Sequence, residues 1–191
     1  MNRNWMVAGA VAAVLAIVLG ARLGRDLLSD DEPAAKSAGP DVVRFHETVA
    51  DVSLSYPGSW IRVQSPDPEV PLLALSRDRA AVVQVRRSAA GIEQVTRDTL
   101  PIAKKITDPL FRAIKRARLL EPAAPVERGG LFGWRYRYTL GGAERARDHY
   151  FLFKGRYLIA LVFEVKPASR LAALTPQFDR VAGSLRVGAP A

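Results

Sequence analysis

Two imidazoles, His46 and His149, are the only ones available to this chain, and each sits in a β-prone run outside any catalytic motif. Each has an acidic sequence neighbour, Glu47 and Asp148, but successive residues of a strand point to opposite faces, so neither carboxylate can orient its neighbour's ring. A structural or surface role is the expectation for both. A metal held by the pair would lack a third ligand, so no metal site is expected. The carboxylate run Asp30, Asp31 and Glu32 falls in a small-residue, proline-containing stretch and reads as a solvated spacer. Gly129, Gly130 and Gly133 lead into a strand and not a helix, which suits a turn and rules out a phosphate cradle. The chain has no cysteine, which removes disulfides, thiolate metal sites, a thiol nucleophile and lipidation at cysteine. No catalytic residue and no cofactor is predicted.

The chemistry that remains is cationic. In WRYRYTL, Trp134 to Leu140, alternation places Arg135 and Arg137 on one face and Trp134, Tyr136 and Tyr138 on the other. Arg145 and Arg147, in the turn that follows, could extend the same patch. Guanidinium forks on a rigid strand suit bidentate binding of carboxylate or phosphate, and an ordinary basic outer face is the simpler alternative. The formal charge is +9, from 28 basic and 19 acidic residues. Arginine supplies most of the excess, which GC-rich coding explains as readily as an anionic partner, so nucleic acid is not an expected partner.

These residues need a scaffold, and the composition allows one. Hydrophobic residues make up 49% and charged residues 25% of 191, which supports folding with room for a single core. Trp5 to Ala21 carries no charge, about 26 Å as a helix. With Trp5 as an interfacial aromatic and Arg22 and Arg25 able to snorkel, residues 1–28 read as a membrane anchor. The alternative is a cleaved signal peptide, with Val18 and Gly20, or less well Leu19 and Ala21, before the cut, although the run exceeds the usual apolar core of such peptides. Charge alone leaves the orientation open. Residues 29–41 read as a flexible tether.

Residues 42–188 then form the expected domain. Val42 to Glu47, Val52 to Tyr56, Leu72 to Ser76 and Ala81 to Arg86 read as strands. Ile92 to Ile106 has helical spacing, with Pro101 expected to bend or interrupt it. Phe111 to Ala117 suggests a second helical piece, its exposed side made basic by Lys115, Arg116 and Arg118, running into Leu119 and Leu120. Trp134 to Leu140, Asp148 to Phe153 and Arg156 to Val165 are joined by glycine turns and predict an antiparallel meander. Ser169 is the expected N-cap of a last helix through Leu171, Leu174, Phe178 and Val181, with Pro176 against its continuity. The fold class is therefore α+β, an antiparallel sheet flanked by helices.

Two segments, VSLSYPGSWIRV (Val52 to Val63) and FDRVAGSLRV (Phe178 to Val187), resemble the opening and closing segments of the PsbP-like family, which includes photosystem extrinsic proteins and bacterial surface proteins of unknown role. The resemblance would span Val42 to Val187. It implies an antiparallel sheet between helices (an α/β/α sandwich), a place outside the cytoplasm with the N-terminus inside, and a binding or assembly role without catalysis. The calcium or manganese association of the photosynthetic branch is not carried over, because no acidic or histidine cluster here matches it. The expected function is a membrane-anchored extracytoplasmic module with a protein or small-ligand partner. The alternative is a peripheral polyanion binder whose basic face lies on anionic lipid or cell-wall polymer.

Overall fold

The computed structural model describes residues 41–92 and 95–188. The predicted anchor and nearly all of the tether lie outside these residues, and among those described no helix is long and apolar enough to cross a membrane. Among the described residues, eleven strands and two α-helices follow in the order β1 (Val42–Glu47), β2 (Val52–Pro57), β3 (Ile61–Arg62), β4 (Leu72–Leu75), β5 (Ala81–Ala89), α1 (Leu100–Arg112), β6 (Arg118–Leu119), β7 (Ala124–Arg128), β8 (Leu131–Leu140), β9 (Arg145–Lys154), β10 (Tyr157–Val165), α2 (Leu171–Gly183) and β11 (Arg186–Val187).

An eight-stranded sheet runs β3-β4-β5-β10-β9-β8, with β6 and β7 sharing the far edge of β8, and every pairing is antiparallel. Short connections between strands adjacent in sequence leave no other sense of pairing available to the 131–165 meander. β9 and β10 are buried along nearly their whole length because both sheet faces are covered. One face carries α1, which seats Leu100, Ala103 and Leu110 on Tyr136, Tyr138, Phe151, Phe153 and Leu158. The other carries α2 together with a second, three-stranded sheet in the order β1-β2-β11. Here Phe45, Leu54 and Tyr56 of the small sheet meet Phe178 and Val181 of α2 over Leu152, Leu161 and Phe163. The Phe163 and Phe178 rings stack at 4.6 Å.

The α+β expectation holds, and the second covering layer is partly a sheet. Several boundaries move. The helix expected from Ile92 begins only at Leu100, and Pro101 stands in its first turn, where a missing N–H costs nothing. It runs on without a break through Pro109 to Arg112, and the second helical piece expected over 111–117 is its last turn followed by turns. Pro176 is likewise inside a continuous α2, and Ser169 lies in a short 3-10 turn (Ala168–Arg170) and not at an N-cap. Strand β7 went unread because Pro125 interrupts its pattern. Proline is tolerated on strands at a sheet's margin.

Candidate functional site

The arginines singled out in the sequence do not form one patch. Arg135 and Arg137 project from β8 on the face covered by α2, as alternation requires. Arg145 and Arg147 are not in a turn, because β9 begins at Arg145. Their cross-strand partners are Leu140 and Tyr138, which places them on the α1 face, opposite the first pair. β9 starts three residues before the Asp148 that the sequence suggested, and its alternation assigns Arg147 and Asp148 to opposite faces.

Each pair is clamped on one buried carboxylate. On the α2 face, Asp148 is wholly enclosed and accepts a two-bond fork from Arg135, through Nε at 2.7 Å and through Nη2, while Arg137 Nη2 donates to it at 3.2 Å. Arg135 also stacks over the Tyr150 ring, 5.0 Å from its centroid, and reaches Asp179 of α2 at 3.4 Å. On the α1 face, Glu164 of β10 accepts from Arg147 Nε and, at 3.3 Å, from Arg145 Nη1. Against the burial that would lower it, the fork to Asp148 holds Arg135 charged well above the ordinary arginine range, and contact with Tyr138 and Glu164 does the same for Arg147. Charge-assisted forks of this kind are strong where water is excluded, and a buried carboxylate needs them.

His149 lies beside Arg147 on the α1 face, under the helix. Its Nδ1 shares a hydrogen bond with the Tyr138 hydroxyl at 3.2 Å, and its ring packs on Phe151 with centroids 3.9 Å apart. Nε2 is buried without a hydrogen-bond partner among the described residues. Burial, reinforced by the Arg147 charge, pushes the imidazole down to about 3, so the ring is neutral at neutral pH. His46 projects from the outer face of the small sheet, 3.8 Å from Asp51. The two histidines are thus on different layers and cannot share a ligand. Among the described residues no three histidine or carboxylate side chains gather as a metal-binding group.

Further along the α1 face, Tyr136 bonds Thr107 at 2.7 Å and donates to Asp108 at 2.6 Å, and the Trp134 indole donates to the Leu100 carbonyl at 2.9 Å. Burial raises the Tyr136 hydroxyl above its ordinary range. Although burial opposes it, hydrogen bonds from Lys104 and Tyr136 hold the Asp108 carboxyl below the ordinary carboxylate range. These bonds tie the helix to β8. Gly129 and Gly130 form the expected turn between β7 and β8, whereas Gly133 lies inside β8 and lets it approach β9 so closely that a Cβ there would stand 1.9 Å from the Phe151 carbonyl oxygen.

The sequence missed Asp148 and Glu164 as the acceptors that absorb the four arginines. The signal was present in part: a carboxylate inside the apolar run of 157–165 can persist only if it is paired. What lies free of such pairing is elsewhere, on the segment 112–120 after α1, where Lys115, Arg116 and Arg118 make no ion pair among the described residues and Leu119 and Leu120 face outward.

No protein-family model and no curated protein matches the chain. Among solved structures, the cyanobacterial PsbP protein of Synechocystis is similar with a TM-score of 0.56 at 20% identity, over 81% of this chain and 97% of that one. A crystal structure from Bacteroides thetaiotaomicron is similar with a TM-score of 0.53 at 14% identity, over 76% of this chain and 48% of that one. With the opening strands and closing helix where the two resembling segments put them, the domain of this chain has the PsbP-like fold.

Proposed function

We propose that this chain is a binding or assembly module, held at a membrane by residues 1–28 and presenting its domain on the extracytoplasmic side to a protein partner. The observation that carries this reading is the fold, shared over 81% of the chain with cyanobacterial PsbP. The state of the reactive side chains supports it: Asp148 and Glu164 are committed to arginine forks and His149 is neutral beneath α1, so these groups serve the sheet. A rigid double-faced sheet with its ionic groups internally matched suits a scaffold that offers surfaces to a partner.

Two measurements on the full chain test it. A Thr48→Cys variant, with the only thiol in the chain on an exposed turn, should react with a membrane-impermeant maleimide in intact cells. The detergent-extracted protein should elute as a defined complex larger than a monomer and lose that complex on surface substitution. Labelling only after lysis would overturn the orientation, and a monomer at all concentrations would overturn the assembly role.

A further inference from the structure

The segment 112–120 turns the chain from the end of α1 into β6, at the margin of the large sheet. Arg112, Lys115, Arg116, Arg118, Leu119 and Leu120 are all exposed, the two leucines at 41% and 54%. Lys115, Arg116 and Arg118 have no acidic partner among the described residues, whereas the arginines of β8 and β9 are all matched. Arg116 holds φ at 59°, in the left-handed region, at the turn between α1 and β6.

The position of this lip in the fold is informative. Leu119 is opposite Tyr138, close to the β8–β9 turn. At the other end of the sheet, Lys154 holds Asp51 and Arg87 holds Glu47, which fixes the β1–β2 hairpin near the β9–β10 turn. From that hairpin β2 runs back through Pro57, the partner of Val42, and leads to Ile61, which pairs Leu75; Leu75 pairs Val82, and Val82 lies opposite Glu164, back at the β8–β9 end. The N-terminal segment therefore joins the domain at the same end as the lip. Val42 and Ile61 add two exposed apolar side chains to that end.

We propose that the lip 112–120 is a docking surface for an anionic lipid bilayer. Exposed cations with no ion pair among the described residues, around outward leucines, fit a headgroup layer, where the cations meet phosphates and the leucines reach the acyl boundary. A protein partner fits less well, since a stable interface of standard size takes about 20–30 residues a side and the lip offers a single short segment. This docking rests on the membrane-anchor part of the function proposed above, and involves neither the arginine forks nor any protein partner.

The test uses the full chain in vesicles, with an environment-sensitive dye on Leu120→Cys and, as control, on Thr48→Cys at the opposite end. With vesicles containing phosphatidylglycerol the Leu120 dye should shift to the blue, the Thr48 dye should not, and 1 M salt should reverse the shift. Each cation near an anionic surface raises partitioning about fivefold, so Lys115→Gln, Arg116→Gln and Arg118→Gln together should lower the docked-to-undocked ratio on the order of 100-fold. Circular dichroism of the triple variant should match the parent. An equal shift in zwitterionic vesicles, an equal shift at Thr48, or a shift given by soluble polyglutamate but not by vesicles would each overturn the proposal, the last in favour of an acidic protein.

Discussion

Asp148→Asn should be among the most destabilising isosteric changes in the domain. The side chain of Asp148 is 0% exposed, and it neutralises Arg135 and Arg137, whose side chains are 16% and 19% exposed. The amide keeps the shape and one acceptor but removes the charge, leaving Arg135 and Arg137 only the half-exposed carboxylates of Asp179, at 3.4 Å, and Glu121, at 3.6 Å. Removing one partner of a buried pair costs about 3–5 kcal/mol. Since both arginines retain some water and a second, half-exposed carboxylate, the cost falls somewhat below that range, to about 2–4 kcal/mol. For a domain of this size that is a fall of roughly 5–15 °C in Tm. Urea unfolding followed by circular dichroism measures it directly. Asp179→Asn is the internal control: Asp179 is 43% exposed and touches Arg135 only at 3.4 Å, so its loss should cost less than about 0.5 kcal/mol. Replacing the whole cluster, with Asp148→Leu, Arg135→Met and Arg137→Met together, should recover most of the loss, because well-packed apolar groups can substitute for a buried ionic set. Equal costs for Asp148→Asn and Asp179→Asn, or a cost below 0.5 kcal/mol for the first, would refute the claim that this carboxylate neutralises the α2 face.

Other perturbations read other parts of the fold. His149 is neutral when folded, with its imidazole down near 3, but in the unfolded chain it takes up a proton below about pH 6.5, so stability falls as pH drops through that value. The stability difference between the parent and His149→Phe should therefore shift in favour of the variant by about 2 kcal/mol between pH 7 and pH 5, and a pH-independent difference would refute it. Tyr136→Phe leaves buried Thr107 without its 2.7 Å bond and should cost about 1–2 kcal/mol in the same urea assay. Gly133→Ala would drive a methyl group into the Phe151 carbonyl, and should yield insoluble protein or lose more than about 3 kcal/mol.

The meander and the opening strands were legible because glycine turns and period-two alternation are local signals, and β8, β9 and β10 follow them. The split of the arginines was not, since it depends on where β9 begins: a start at Arg145 instead of Asp148 lengthens the strand into what reads as turn, and pairing with β8 and β10 decides that start. The three-stranded second sheet was hidden for a similar reason. β11 is two residues long and meets β2 only through contacts far apart in sequence, Arg186 with Ser53 and Val187 with Val52. The basic run from Lys115 to Arg118 was plain in the sequence. What the sequence could not give was that these cations make no ion pair among the described residues while those of the meander do, because pairing across strands depends on tertiary placement.

Neighbouring residues Arg147 and Asp148 bear opposite charges, and β9 delivers them to opposite sides of one sheet, where counter-charges of the matching sign already wait. If β9 slipped by one residue during folding, Arg147 would arrive among Arg135 and Arg137, and Asp148 would arrive beside Glu164. Every salt link at the centre of the sheet would become a repulsion at once. Apolar side chains would penalise such an error weakly, since β9 is lined with large hydrophobics on both sides and a flipped strand still offers rings to each core. The adjacent charges act as a parity check on the strand, rejecting the odd-numbered misalignments that its greasy sequence would tolerate.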